Sequence, residues 1–261
     1  MVRFRRTFGA SVIDQTMTLD AGSRRVDFAT DVDWHEDHKF LKVAFPVAVH
    51  AAQARFEIQF GHLARPTHAN TAYERARFEV CAQRWADLSE AGFGVALLND
   101  CKYGYDVRGH TLRLSLLRAP TAPDPLCDRG RHRFTYALLP HGGELAAVVA
   151  AGYALGAPLV VRTSGPAAGT RPAEHSLVAC DDPGFVVETV KAADDGRGVV
   201  ARGYEALGGR RRVRLRPGLP CTAAVRCDLL ERDSDPVPLD SDGALGLTVR
   251  PFELVTLRLV P

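Results

Sequence analysis

The string VDWHEDHKFLK brings together residue types that a metal-dependent hydrolase uses. His35 and His38 flank Glu36 and Asp37, and Asp33 lies just before them. A zincin needs H-E-x-x-H on a helix, because two imidazoles four residues apart then share one face. The spacing here is H-E-x-H, and in an extended chain the two histidines would project to opposite sides. The pattern favours a polar strand connection, and a self-contained zinc site stays open as an alternative.

The segments around this string must position it, and their apolar residues recur with a period of two. Val26, Phe28, Val32 and Trp34 would share one face of a strand that ends at the histidines. Many similar short segments follow, separated by Gly, Pro, Asn and Asp, as in antiparallel sheets. The sequence therefore predicts a mostly β protein, an antiparallel β-sandwich of at least ten strands in stacked layers.

One alanine-rich segment does not follow the period of two. Leu145, Val148, Val149 and Tyr153 recur at helical spacing, and Pro158 follows. The spacing predicts one helix near residues 144–155. A polar Gly/Pro loop is predicted over residues 164–175. We therefore expect a larger β-sandwich over residues 1–162, with the helix at its end, and a smaller one over residues 163–261.

Composition and charge narrow the functional classes. The chain has 261 residues, a net charge of +2 and arginines spread along its length, which gives no case for a nucleic-acid partner. None of the six cysteines forms a C-x-x-C pair, so free thiols are expected. There is no signal-peptide pattern and no apolar run that approaches the roughly 18 residues of a membrane span. These features predict a cytoplasmic protein without a membrane partner.

Several long strings in the chain carry a family resemblance. They are, in order, VDWHEDHKFLKVAFPV, RPTHANT, RFEVCAQRWADLSEAGFGVALLNDCKYGYD and LRLSLLRAPTAPDP. Together they resemble the C-terminal region of the α-mannosidases of glycoside hydrolase family 38, most closely the cytosolic and bacterial branch. Further strings extend the resemblance over nearly the whole chain.

The resemblance implies a retaining α-mannosidase whose chemistry lies mainly elsewhere. In that family an Asp nucleophile, an acid/base carboxylate and a His/Asp-bound zinc belong to a preceding α/β domain. No segment of this chain matches those motifs, so no catalytic residue, metal ligand or cofactor is assigned to it. The implied partners are an α-mannoside or oligosaccharide and a catalytic α/β domain, in cis or as a separate chain. Alone, the chain is expected to be inactive.

What the β region would add, on this resemblance, is a wall of the sugar site. In the turn NDCKYGYD, Tyr103 and Tyr105 would stack on pyranose faces, while Asp100 and Lys102 would hydrogen-bond to hydroxyls. Arg118 aligns with a strand-end arginine that approaches the sugar in relatives. The alternatives are an ordinary hairpin turn and an ordinary edge arginine.

A second set of residues is expected to dock against the catalytic domain. It comprises His35 and His38 together with Arg65, His68 and Asn70 of the RPTHANT loop. We hypothesise that this loop, the HEDH turn and the NDCKYGYD turn lie toward one side of the protein.

Three functional classes follow from these observations. The first is the C-terminal β domain of an α-mannosidase, which completes the sugar site and buttresses a separate zinc-dependent domain. The second is a stand-alone β-sandwich that binds carbohydrate or a protein without catalysis. The third is the metal hydrolase around His35 and His38.

Overall fold

A computed structural model describes residues 1–165, 169–170 and 172–261 of the chain. Part of the loop predicted over residues 164–175 lies outside the described residues. The chain divides into two compact units. The first unit comprises Met1–Gln59 and Leu63–Leu159, and the second comprises Phe60–His62 and Val160–Pro261.

The first unit contains eleven whole strands and most of a twelfth, β6, whose first two residues belong to the second unit; they form two sheets. In chain order they are β1 (Val2–Phe8), β2 (Ser11–Leu19), β3 (Val26–Trp34), β4 (Leu41–Pro46), β5 (Gln53–Ile58), β6 (Gly61–Pro66), β7 (Val80–Cys81), β8 (Trp85–Glu90), β9 (Phe93–Asn99), β10 (Gly104–Arg108), β11 (Thr111–Leu117) and β12 (Gly130–His141). The larger sheet has the order β1-β2-β3-β12-β9-β8-β5-β6, and the smaller has the order β4-β11-β10-β7. The mostly β, antiparallel fold class predicted from the sequence is confirmed.

The core of this unit lies between its two sheets. Val32 and Trp34 of β3 face inward, as the alternation predicted, and each is at most 1% exposed. Leu112 and Leu114 of β11 meet them from the smaller sheet in the same hydrophobic cluster. Burial of each such side chain stabilises the fold by about 2 kcal/mol. Apolar burial on one face of each sheet is what holds the sandwich together.

Two helices accompany these strands. The predicted helix is present as α2 (Leu145–Gly156), which buries Val148, Val149 and Gly152. A Cβ at Gly152 would stand 3.0 Å from the Trp85 ring, so glycine lets the helix lie close to the sheet. The second helix, α1 (Ala72–Ala76), was not predicted. It begins with a capping box in which Thr71 and Glu74 each bond to the other's backbone N–H.

The described part of the second unit contains eight strands, again in two sheets. They are β13 (Val178–Cys180), β14 (Phe185–Ala192), β15 (Val199–Glu205), β16 (Arg211–Pro217), β17 (Ala223–Cys227), β18 (Asp233–Val237), β19 (Leu245–Val249) and β20 (Leu254–Val260). The sheet orders are β13-β16-β19 and β14-β15-β20-β17-β18. Residues of both sheets form one apolar cluster, which includes Val213, Leu247 and Leu257.

A buried carboxylate of the second unit binds the turn that follows β15 and the turn that precedes β20. Glu205 is fully buried and accepts a bond of 2.7 Å from the Arg211 guanidinium. It also accepts four backbone N–H groups, those of Leu207, Gly208, Gly209 and Phe252. Burial raises the pKa of Glu205, but Arg211 and these backbone donors outweigh that effect and hold the pKa below its usual value.

Strand β1 is an edge of the eight-stranded sheet, and all seven of its residues are exposed. It pairs only with β2 within the described residues, so its other edge presents free backbone groups. Arg3, Arg5 and Arg6 lie along it, and Arg5 forms an ion pair with Asp14 of β2.

Neither described helix is long and apolar enough to cross a bilayer. All six cysteines carry free thiols.

Candidate functional site

Several loops meet at one end of the first unit because the strands that carry them are neighbours. Strand β3 ends at Trp34, which pairs with Gly130 at the start of β12. Strand β11 ends at Leu117, which pairs with Leu41 at the start of β4. The turn between β9 and β10 leads into the start of β10, which pairs with the last part of β11, since Tyr105 pairs with Leu114. The backbone N–H of Asp100 in this turn donates to Thr135 in the middle of β12 at 3.1 Å. We call this end, formed by residues 35–40, 99–103 and 118–129, the site end.

In the HEDH turn of the site end, Glu36 has a structural role. Its Oε1 accepts the backbone N–H of Ala10 at 2.8 Å and the hydroxyl of Ser11 at 2.9 Å. Gly9, in the left-handed region at φ +55°, makes room for the carboxylate, because a Cβ there would stand 2.4 Å from it. Glu36 therefore fastens the turn to the hairpin between β1 and β2.

The two histidines of the turn have different partners. His35 Nε2 lies 2.8 Å from Asp33 Oδ1, and both side chains are more than 40% exposed. His38 Nε2 lies 3.1 Å from the hydroxyl of Thr121, and the His38 backbone N–H donates to Ala119 at 2.8 Å. Across the described residues, no group of three or more His, Cys, Asp or Glu side chains could hold a metal ion. The donor set at this turn therefore does not fit zinc.

Asp37 of the same turn forms an ion pair with Arg129 on the neighbouring loop. The hydrogen bond from Arg129 lowers the pKa of Asp37, although partial burial opposes it. The turn and the loop of residues 118–129 are thus fastened together by this pair and by the backbone bond from His38 to Ala119.

Asp128 fixes the backbone that carries Arg118. Its Oδ2 accepts the N–H of Arg118 at 2.9 Å and that of Ala119 at 2.8 Å. Burial raises the pKa of Asp128, but these two backbone donors, together with the nearby His132 and Lys102, lower it below its usual value. The guanidinium of Arg118 is exposed and forms no ion pair with any residue that the structure describes. Arg118 therefore has a fixed backbone and a guanidinium that forms no ion pair with the described residues.

Two exposed aromatic side chains accompany Arg118 on the site end. Phe40 is 45% exposed and directly precedes Leu41, the pairing partner of Leu117, so it lies beside Arg118. Tyr103 is 60% exposed and precedes β10, the strand on the other side of β11. Both residues directly precede strands that flank β11, at the end where Arg118 follows it. The Lys42 ammonium lies 5.1 Å from the centroid of the Phe40 ring. Sequence reasoning missed Phe40; its signal was an apolar residue just outside a polar turn.

The expectation that Tyr105 stacks on a sugar is wrong. Tyr105 is fully buried in the core of the first unit. Its hydroxyl bonds to the amide of Asn99 and to the backbone oxygen of Gln83. Burial raises the pKa of this hydroxyl well above its usual value. No face of the ring is available to a ligand.

Asp100 and Lys102 lie at the site end, where both contact β12. Asp100 Oδ2 accepts the backbone N–H of Thr135 at 2.9 Å. The Lys102 ammonium lies 4.7 Å from the centroid of the Phe134 ring. These contacts hold the turn in place, and a role for either residue beside the sugar stays a prediction.

The RPTHANT loop begins at the end of the strands opposite the site end. The hypothesis that it lies on the same side as the HEDH and NDCKYGYD turns is therefore wrong. The backbone oxygen of Thr67 accepts the N–H of Gly109 at 2.8 Å. Gly109 belongs to the turn between β10 and β11, whereas the site end lies at the start of β10. His68 Nδ1 lies 3.7 Å from Glu74 Oε2, which also accepts the Asn70 N–H at 2.7 Å. His68 and Asn70 therefore support the entry to α1.

Comparison with known families matches both parts of the chain. Residues 1–126 match the family model described as "Glycosyl hydrolases family 38 C-terminal domain". Residues 184–257 match "Glycosyl hydrolases family 38 C-terminal beta sandwich domain".

Curated relatives are similar over almost all of this chain. The chain is 51% identical over 257 residues to "Alpha-mannosidase 2C1" of Homo sapiens, a match that covers 96% of the chain and 24% of the human protein. It is 40% identical over 261 residues to "Alpha-mannosidase G" of Dictyostelium discoideum, which covers 97% of the chain and 24% of that protein. The chain thus spans about a quarter of the length of these relatives.

A solved structure has the same fold. An α-mannosidase from Enterococcus faecalis V583 superposes with a TM-score of 0.80 at 20% identity. The superposition covers 95% of this chain and 29% of that one.

Proposed function

Because this chain belongs to glycoside hydrolase family 38, as a C-terminal β-rich region of that family, we propose that it supports the hydrolysis of terminal α-mannosides. It does so by completing the sugar site of a separate zinc-dependent catalytic domain and by buttressing that domain, in cis or as a separate chain. The names of its curated relatives and the extent of those matches support the proposal. A cytoplasmic location is part of it, in keeping with six free thiols.

The observation that carries the proposal is the arrangement around Arg118. Its guanidinium is exposed and uncommitted, while Asp128 fixes its backbone through two hydrogen bonds. A guanidinium donates readily to sugar hydroxyls, and the exposed ring of Tyr103 at the same end could offer an apolar face to a pyranose. Because the backbone of Arg118 is already fixed, only its side chain has to be ordered when the ligand arrives.

The rigidity of the site end also suits a buttress. The HEDH turn is held by Glu36, by the Asp37–Arg129 pair and by the backbone bond from His38. We assign no nucleophile, acid/base residue or zinc ligand to this chain. A retaining glycosidase needs two carboxyl groups about 5–5.5 Å apart, and in this proposal the catalytic domain supplies them.

A chimeric enzyme tests the proposal. The 261 residues replace the aligned segment of the human relative, and hydrolysis of an aryl α-mannoside is measured before and after Arg118→Ala. We expect an active chimera whose kcat/KM falls roughly tenfold, since a lost contact to the sugar costs about 1–3 kcal/mol. Arg3→Ala on the exposed strand β1 is the matched control and should change nothing.

The outcomes separate the functional classes. Equal activity of the Arg118→Ala and Arg3→Ala chimeras would refute a role for Arg118 beside the sugar. Saturable binding of a mannose oligosaccharide to the isolated chain, together with an inactive but folded chimera, would favour the stand-alone binding module.

A further inference from the structure

A small pocket of the first unit, away from the site end, is lined by several cationic side chains. It has a volume of about 110 Å³ and lies between the start of the RPTHANT loop, the segment around α1 and strand β10. Arg65, Arg77 and Arg108 line it, together with apolar groups that include Phe56 and Val107. We call it the cationic pocket.

The two carboxylates that line the cationic pocket are already engaged. Asp106 is 7% exposed, and its two oxygens accept Lys42 at 2.5 Å and Arg113 at 2.7 Å. Glu74 uses Oε2 to accept the backbone N–H groups of Asn70 and Thr71 in the capping box of α1. Asp106 is therefore neutralised by cations outside the pocket, whereas Glu74 keeps its negative charge. One charged carboxylate against three arginines leaves the pocket with a net positive charge.

Among the residues that the structure describes, the three arginines have no anionic partner of their own. Arg65 Nε is buried without a hydrogen-bond partner. Arg77 lies with its guanidinium carbon 4.2 Å from the centroid of the Tyr73 ring and donates to that hydroxyl. Within the described ranges, no ion pair involves Arg65, Arg77 or Arg108. A partly desolvated guanidinium without a partner is costly, so an anion in the pocket would stabilise it.

We propose that the cationic pocket binds a small oxyanion, of the size of inorganic phosphate or a short carboxylate. The guanidinium fork matches both, because its paired N–H groups meet two oxygens of one anion. The volume corresponds to roughly four water molecules, too small for a pyranose ring with its hydroxyls. The proposal does not rest on the function assigned to the site end.

Titration calorimetry of the 261-residue chain tests the proposal. The probes are sodium phosphate, sodium propionate and, as a control at matched ionic strength, sodium chloride. We expect saturable 1:1 binding of phosphate or propionate and none of chloride. Arg108→Gln should weaken that binding roughly tenfold or more, because one guanidinium contact is lost. Arg3→Gln, on the exposed strand β1 and outside the pocket, is the matched control and should leave the affinity unchanged.

The relative affinities of the two anions also indicate which chemical class of ligand the pocket prefers. Tighter binding of phosphate identifies a tetrahedral dianion as the ligand, and tighter binding of propionate identifies a carboxylate with an apolar stem. Arg108→Lys keeps the charge but loses the fork, so its affinity should lie between wild type and Arg108→Gln. No saturable binding of either anion, or equal weakening by Arg3→Gln, would overturn the proposal. An unchanged thermal melting curve shows that each variant is folded.

Discussion

The two backbone bonds accepted by Asp128 give a measurable stability to the site end. Asp128→Ala removes both acceptors, which lie 2.9 and 2.8 Å from the N–H groups of Arg118 and Ala119. A buried bond to a charged group is worth about 1.5–3 kcal/mol. Asp128 is partly exposed, so water replaces part of each bond and the total loss should be about 2 kcal/mol.

The assay follows from the placement of the tryptophans. The chain has two, Trp34 and Trp85, and both are buried in the first unit. Tryptophan fluorescence in urea therefore reports on that unit alone. With a slope of about 2 kcal/mol per molar urea, the midpoint of Asp128→Ala should fall by about 1 M.

A second readout uses the lowered pKa of Asp128. A carboxyl whose folded pKa is depressed contributes its stability above the unfolded pKa, near 4, and loses it as the pH falls through the folded pKa. The difference between wild type and Asp128→Ala should therefore shrink below about pH 4. Asp124→Ala, which removes one exposed bond to the Leu126 N–H on the same loop, is the matched control. An unchanged midpoint in Asp128→Ala, or an equal shift in Asp124→Ala, would refute the reasoning.

Three further predictions concern the activity of the isolated chain, the two tyrosines of the NDCKYGYD segment and the buried carboxylate of the second unit. The isolated chain should release no aryl alcohol from an aryl α-mannoside, with or without added zinc; robust turnover would contradict this. Tyr105→Phe should cost about 1 kcal/mol in urea unfolding and leave the kcat/KM of the chimera unchanged, whereas Tyr103→Ala should lower kcat/KM and leave unfolding unchanged. Glu205→Gln should destabilise the second unit by about 3 kcal/mol, seen by calorimetry without a shift in tryptophan fluorescence; a fluorescence shift would show that the two units unfold together.

The strands and the main helix could be predicted because their signals are local. Val32 and Trp34 alternate with aspartates, and Val148 and Val149 recur at helical spacing, so burial of one face explains both patterns. The short helix α1 was missed although Thr71 and Glu74 form a capping-box signature, since a single turn leaves no apolar periodicity to detect.

The site was predicted less completely because its contacts are distant in sequence. Tyr105 shares its inward face with Val107, and that alternation could have identified it as a core residue. The link from Asp37 to Arg129 joins residues 92 positions apart, and no local pattern predicts it. The sequence also could not predict the arginines of the cationic pocket. Whether an arginine has an ion-pair partner depends on which residues the fold places beside it.

The exposed edge of strand β1 has a consequence for how copies of the chain behave in concentrated solution. A free strand edge is a template on which a second copy can add its own edge. Arg5 is paired with Asp14, but Arg3 and Arg6 place like charges there, and two such edges brought together would repel each other. That repulsion weakens as salt shortens the range of electrostatic forces, to about 3 Å at 1 M. Self-association should therefore rise with ionic strength, the reverse of what a charge-paired interface would do.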